Sequence, residues 1–232
     1  MAFVFDAITV DGRTLRSVDA MQFFDRLGAK VKDRPWVAPL TRLVYELICY
    51  KTRPLGVQTS GTTGAPKPLR IPRRDLVSSS KLTAQVFELH AGDRALMCLP
   101  GAFIAGRMMI VRSMVLGLDL HLIDPRGSLL DNLRTRDRFR FAAMVPLQLH
   151  RAIQEDRARV EEQFDTILLG GGPVSAVFTQ DIADLRVRVY QGYGSTETVT
   201  HVALRAFTPC SCAPGAAFNA RRATWGTVSV LP

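Results

Sequence analysis

Nine consecutive residues, Thr59-Ser60-Gly61-Thr62-Thr63-Gly64-Ala65-Pro66-Lys67, bring together four hydroxyls, two glycines and one lysine. Hydroxyl and backbone N–H donors set close by small residues can converge on phosphate oxygens, and an ammonium adds a point charge. The stretch is a polyphosphate cradle in outline. It is not the common P-loop, which has a longer gap between its glycines and a lysine directly after the second; here Pro66 precedes Lys67. A plain Ser/Thr/Gly surface turn has the same composition, and the segment alone does not separate the two readings. A second group of chemical side chains lies far downstream, in Gly192-Tyr193-Gly194-Ser195-Thr196-Glu197-Thr198. There an aromatic ring can stack on a base, a threonine can bond a phosphate oxygen, and a carboxylate can hold Mg²⁺ whose octahedron substrate phosphates complete.

Taken together and in this order, the hydroxyl-rich loop and Tyr193-Gly194-Ser195-Thr196-Glu197 resemble the paired signatures of the adenylate-forming superfamily, which includes acyl-CoA synthetases, luciferases and peptide-synthetase adenylation domains. The resemblance implies a role for each matching residue. Thr59, Ser60, Gly61, Thr62, Thr63, Gly64 and Lys67 would handle the β- and γ-phosphates of ATP. Gly171, Gly172 and Pro173, in the turn Gly170-Gly171-Gly172-Pro173, would border adenine, with Tyr193 packed on the base and Gly194 beside it. Thr196 would contact the α-phosphate and Glu197 would ligate Mg²⁺, so that Lys67, Thr196 and Glu197 carry the catalysis. The implied reaction is attack of a substrate carboxylate on the α-phosphate, giving an acyl-adenylate and pyrophosphate, followed by ligation to coenzyme A. Charge neutralisation and positioning do most of such work.

Leu99-Pro100-Gly101-Ala102-Phe103-Ile104-Ala105-Gly106-Arg107-Met108-Met109 is similar to a stretch of o-succinylbenzoate-CoA ligases of menaquinone biosynthesis. That similarity implies an aromatic dicarboxylic acid as substrate. Phe103 stands where many superfamily members carry histidine. Arg107 suits the second carboxylate of such an acid, a bidentate task for a guanidinium, and is equally a surface arginine beside a core helix. His201, four residues after Glu197, is a candidate substrate contact if one helical turn joins them. His90, His121 and His150 have no ligand spacing and read as surface or core histidines.

The elements that must position these loops alternate. Ser17 reads as an N-cap, with Val18, Met21, Phe24, Leu27 and Val31 at helical spacing, after a short extended segment turning at Asp11-Gly12. Pro39 suits the first turn of a second helix, along which Leu40, Leu43, Val44, Leu47 and Ile48 form one apolar stripe. Gly56 to Gln58 reads as a strand entering the cradle, and Pro72 to Leu89 as a helix. Strands are expected at Ala95 to Leu99, Leu118 to Ile123, Phe141 to Val145, Thr166 to Leu169 and Val187 to Tyr190. Helices are expected at Arg107 to Leu116, Leu129 to Leu133, Leu147 to Ile153 and Val174 to Leu185, with Gln154 to Glu162 a solvated face or helix end. Such alternation predicts right-handed crossovers and an α/β fold whose largely parallel sheet is flanked by helices. Ligands of these sheets sit at the carboxyl ends of the strands, where the glycine-rich segments fall.

The totals set the outer bounds. A chain of 232 residues that is 47% hydrophobic and 22% charged is neither disordered nor fibrous. No run approaches the roughly 18 apolar residues of a membrane span, and no basic segment precedes an apolar N-terminal core, so a cytoplasmic protein is expected. The net charge of +9 comes from scattered arginines without aromatic interleaving, and nucleic-acid binding rests on that charge alone. Cys49, Cys98, Cys210 and Cys212 have neither disulfide-framework nor zinc-pair spacing.

The expected AMP-binding domain occupies residues 1–205, with the resemblance strongest over 37–205. Residues 206–232 contain no Asp, Glu or Lys and read as a divergent tail or one in a slipped reading frame. The superfamily's ribose-binding aspartate and its C-terminal domain with an adenylation lysine find no counterpart there. Two functions follow from the resemblance: a carboxylic-acid ligase using ATP, Mg²⁺ and coenzyme A, or a noncatalytic nucleotide- or acyl-binding relative.

Overall fold

The computed structural model describes residues 5–29, 34–59, 65, 67–199, 201–207 and 226–227. The chain opens with β1 (Ala7–Val10), β2 (Arg13–Arg16), α1 (Ser17–Ala29) and α2 (Val37–Cys49), followed by β3 (Leu55–Gln58) and β4 (Pro68–Ile71). Next come α3 (Arg73–Phe87), β5 (Arg94–Met97), α4 (Ile104–Leu116), β6 (Asp119–Leu122), β7 (Phe141–Met144) and α5 (Pro146–Gln163). The last elements are β8 (Thr166–Leu169), α6 (Ala176–Ala183), β9 (Arg188–Gly194), β10 (His201–Ala206) and the short β11 (Gly226–Thr227).

Nine strands form one sheet in the order β11-β10-β9-β8-β7-β5-β6-β1-β2. The run from β9 to β1 is parallel, while β2, β10 and β11 add antiparallel edges. β7 and β8 are buried at every position, as strands covered on both faces must be. Along β5, Ala95 and Met97 enter one apolar cluster with α1 to α4, while Leu96, and Cys98 just beyond the strand, enter another with α5 and α6. The two faces follow from the chain's path. From β5 it moves through α4 to β6 on one side, then returns past β5 to β7 and proceeds through α5 and α6 toward β9. Right-handed crossovers taken in opposite directions put their helices on opposite faces. The reversal between β5 and β7 is a topological switch point, where a crevice opens beyond the carboxyl ends of the strands.

Three expectations are refined. The N-terminal segment is a β1–β2 hairpin, because Asp11 and Gly12 take left-handed φ values of 48° and 76° suited to a type I′ turn. The strand expected at Gly56 to Gln58 exists, but it pairs with β4 in a separate two-stranded antiparallel sheet. The cradle therefore joins a hairpin rather than ending a strand of the parallel sheet. Lastly, β9 does not stop at Gln191: it runs through Gly192, Tyr193 and Gly194, because β10 returns antiparallel beside it. Among the described residues no helix is long and apolar enough to cross a membrane.

Candidate active site

The downstream motif rides on the β9–β10 hairpin. Gly192 keeps the packing close, since a Cβ there would meet His201 Cβ and Leu168 Cδ1, both at 3.3 Å, and push them back by a few tenths of an ångström. Beyond Gly194 the chain turns tightly. Ser195 N–H donates to Thr198 Oγ1 at 2.9 Å, Thr198 Oγ1 donates back to the Ser195 carbonyl at 3.0 Å, and Val199 adopts a φ of 64°. A β-branched residue in the left-handed region is strained. Within this turn Thr196 is buried while Glu197 points outward. Tyr193 is 66% exposed.

Glu197 accepts a hydrogen bond from Ser195 and feels the charge of Lys67, and both hold its carboxyl below the usual glutamate range. The lysine's charge is the weakest of these influences. At the hairpin base Lys67 N–H donates to Thr59 Oγ1 at 3.0 Å, and Thr59 N–H donates to the Lys67 carbonyl at the same distance. The expected phosphate ligands Ser60, Gly61, Thr62, Thr63 and Gly64 lie outside the described residues.

The Gly170–Pro173 turn follows β8. Gly170 N–H bonds the Met144 carbonyl at 3.1 Å, Gly171 has a φ of 74°, and Gln191 Nε2 reaches the Gly172 carbonyl at 3.5 Å. This last contact ties the turn to β9, two positions before Tyr193. Gly171, Gly172, Pro173, Tyr193 and Gly194 thus share the carboxyl end of neighbouring strands.

The two substrate-side candidates sit differently from the sequence reading. His201 is the first residue of β10 and not one helical turn from Glu197. It is 6% exposed, and its ring packs against Phe87 with centroids 5.8 Å apart, beside Tyr190 and Phe141. Burial first, and then the charge of Arg112, push its pKa down to about 4, so the ring is neutral at physiological pH. Arg107, in the first turn of α4, gives its guanidinium to main-chain carbonyls, NH1 to Gly56 at 2.5 Å and Nε to Gly101 at 3.4 Å.

Two residues escaped the sequence reading. Arg112 is 4% exposed within α4, donates to Thr83 Oγ1 at 3.2 Å and approaches Met109 Sδ at 3.8 Å. Burial pushes its pKa down to about 10, which still leaves it charged at neutral pH. Among the described residues no carboxylate lies within salt-bridge distance of it. The signal was visible: Arg112 interrupts Met108-Met109-Ile110-Val111-Arg112-Ser113-Met114-Val115-Leu116, a helix without a polar face to receive it. Gln148, in the first turn of α5, is the other. Its Oε1 accepts Val145 N–H at 3.0 Å and its Nε2 donates to the Cys98 carbonyl at 2.7 Å, bracing the ends of β5 and β7 at the switch point.

The donor set suits a magnesium nucleotide. Mg²⁺ takes one or two protein carboxylates and completes its octahedron with water and phosphate. Glu197 supplies one ionised carboxylate beside a lysine, and no cluster of three or more metal-ligating side chains competes for the ion among the described residues. Cys98, buried with its pKa pushed up to about 12, is not a nucleophile.

The chain is similar in sequence and in fold to known proteins. A family model described as "AMP-binding enzyme" matches residues 57–227. The 2-succinylbenzoate–CoA ligase of Geobacillus kaustophilus is 31% identical over 149 residues, covering 62% of this chain and 30% of that protein. The chain thus spans about a third of the length of the curated relatives it matches. Among solved structures, an acyl-CoA synthetase (AMP-forming)/AMP-acid ligase II-like protein from Dyadobacter fermentans superposes with a TM-score of 0.68 at 37% identity, covering 76% of this chain and 50% of that one. O-succinylbenzoate coenzyme A synthetase from Bacillus subtilis, in complex with AMP, superposes with a TM-score of 0.58 at 27% identity over 66% of this chain and 32% of that one.

Proposed function

Because the chain belongs to the AMP-binding enzyme family, we propose that its crevice binds ATP with Mg²⁺ and activates a carboxylic acid as an acyl-adenylate for transfer to coenzyme A. The acid is an aromatic dicarboxylate of the 2-succinylbenzoate type. The observation that carries this reading is the meeting of the Gly170–Pro173 turn with β9 at the carboxyl end of neighbouring parallel strands, where Gln191 Nε2 reaches the Gly172 carbonyl at 3.5 Å two positions before Tyr193.

In this reading the acid's carboxylate oxygen attacks the α-phosphorus, the bond to the bridging oxygen breaks, and pyrophosphate leaves. The Lys67 ammonium offsets charge on the leaving group. The Thr196 hydroxyl holds an α-phosphate oxygen, Tyr193 stacks on adenine, and Gly171, Gly172 and Pro173 border the base. Mg²⁺ held at Glu197 supplies Lewis-acid neutralisation of the phosphates. The acid lies toward α4. There the buried charge of Arg112 takes the second carboxylate, since a desolvated guanidinium without a carboxylate partner favours an anion. The neutral His201 ring forms part of the apolar wall behind it. Coenzyme A thiol then attacks the acyl carbonyl and AMP departs.

Isotope exchange between pyrophosphate and ATP tests the assignment. Exchange dependent on Mg²⁺ and on 2-succinylbenzoate, exceeding that with monocarboxylic acids, is the expected result. Measurable MgATP binding without exchange for any acid would leave a noncatalytic nucleotide-binding module instead.

A further inference from the structure

The phosphate loop is carried by a β-hairpin that shares no strand pairing with the main sheet, so something else must orient it toward Glu197. The apolar side chains of Leu55, Val57 and Ile71 anchor the hairpin in the core. Such burial is non-directional and fixes depth better than angle. Direction comes from Gly56, whose peptide groups point to the free edge of β3, away from β4. Its N–H donates to Glu46 Oε1 at 3.2 Å, and its carbonyl accepts from Arg107 NH1 at 2.5 Å. Arg107 also reaches the carbonyl of Gly101 in the loop that links β5 to α4, rooting the contact at the carboxyl end of a central parallel strand. The two charged side chains come from α2 and α4, and their opposite charges attract across the hairpin edge.

We propose that Glu46 and Arg107 clamp the Gly56 main chain and thereby set the position of Lys67 for the terminal phosphates of ATP, Arg107 being a positioning residue. The inference rests on the nucleotide reading given above. Strand geometry makes the lever plausible in scale: from Gly56 to Thr59 the chain rises about 3.3 Å per residue, so the loop base lies roughly 10 Å from the clamp. Thr59 is bonded to Lys67 through both main-chain and hydroxyl contacts. A small rotation at Gly56 therefore carries both loop ends with it. Adenine and the α-phosphate are assigned to residues on β9, in the turn beyond it and in the turn after β8, which the clamp does not touch. That separation predicts a selective defect.

Dissociation constants for MgATP, AMP and 2-succinylbenzoate, measured by calorimetry on the wild-type chain and on Arg107→Met, Arg107→Lys and Glu46→Gln, test the clamp. Arg107→Met is expected to weaken MgATP on the order of tenfold, as a sub-ångström misplacement can, while AMP changes less than about twofold. Arg107→Lys, which keeps one donor for the Gly56 carbonyl, should recover most of the loss. Glu46→Gln keeps an amide oxygen for Gly56 N–H but drops the charge facing Arg107, and should weaken MgATP about two- to threefold. Equal losses for AMP and MgATP, or no loss for either, would overturn the clamp. So would a loss confined to 2-succinylbenzoate, which would return Arg107 to the acid. If Arg107→Met does not fold, unchanged MgATP affinity in both Arg107→Lys and Glu46→Gln overturns it. Wild-type chain that binds neither nucleotide refutes the nucleotide reading itself, and the clamp's role falls with it.

Discussion

Arg112→Met should make the protein more stable and less selective for a dicarboxylic acid. The guanidinium is 4% exposed, and its pKa falls from the ordinary arginine range to about 10 through burial. At about 1.4 kcal/mol per tenfold change in the proton equilibrium, that depression corresponds to roughly 3 kcal/mol of uncompensated desolvation. Its recorded partners are a threonine hydroxyl at 3.2 Å and a thioether at 3.8 Å, neither of which repays a buried charge. Methionine fills a similar volume without charge. Thr83 keeps its own bond to the Ser79 carbonyl at 3.0 Å, so no hydroxyl donor is orphaned. A net gain of about 1–3 kcal/mol follows, and a domain of this size gains about 2–4 °C in Tm per kcal/mol. The gain should be flat across neutral pH, where folded and unfolded arginine are both protonated. Above about 10 the unfolded chain holds a proton the folded chain has lost, so wild-type stability rises with pH there and the difference narrows. Thermal unfolding measures the first effect. Calorimetric titration with 2-succinylbenzoate against a monocarboxylic analogue measures the second, expected as a loss of about tenfold or more in discrimination. A lowered Tm would refute the desolvation reasoning, and unchanged discrimination would refute the assignment of the second carboxylate.

Other outcomes bear on the same crevice. Lys67→Ala should weaken MgATP and let the Glu197 carboxyl titrate at higher pH, because one of the groups that stabilise its anion is gone. Glu197→Gln should weaken the dependence of binding on Mg²⁺, and unchanged ATP affinity in both variants would separate the two motifs. The wild-type carboxylate is ionised at neutral pH, so Mg²⁺-dependent binding should fade only as pH falls through its depressed pKa. His201 should make the fold acid-sensitive. Its folded pKa of about 4 lies below the ordinary value of about 6.5. Its contribution is complete above about 6.5 and is lost as pH falls toward 4, up to roughly 3 kcal/mol. Denaturant titrations at several pH values should show this slope in the wild-type chain and a shallower one in His201→Phe. Equal slopes would mean that other groups govern acid unfolding.

The parallel core was legible because its signal is local and dense: Phe141 to Met144 and Ile167 to Leu169 are apolar throughout, and each is followed by a helix. The motifs were legible as chemistry for a different reason, the rarity of their residue combinations. Their mounts were not. β4 begins with a proline and carries Arg70, and it becomes a strand only because β3 lies beside it. Gly192 and Gly194 read as strand breakers, yet β10 supplies partners that extend β9 through both. The spacing from Glu197 to His201 fits a helical turn equally well, until the left-handed φ of 64° at Val199 turns the chain back into a strand.

In each case the deciding interaction is an antiparallel pairing, at a sheet edge or outside the main sheet, that no apolar period encodes. Thr59 and Lys67, the ends of the first motif, close the β3–β4 hairpin, and the second motif lies on the β9–β10 hairpin. Side chains such as Glu46, Arg107 and Gln148 bond main-chain groups at the free edge of β3 and just beyond β5. The residues that name the reaction are therefore readable one at a time. The contacts that brace the surrounding main chain become visible only when Gly56 and Cys98 are seen to offer their carbonyls to side chains distant in sequence.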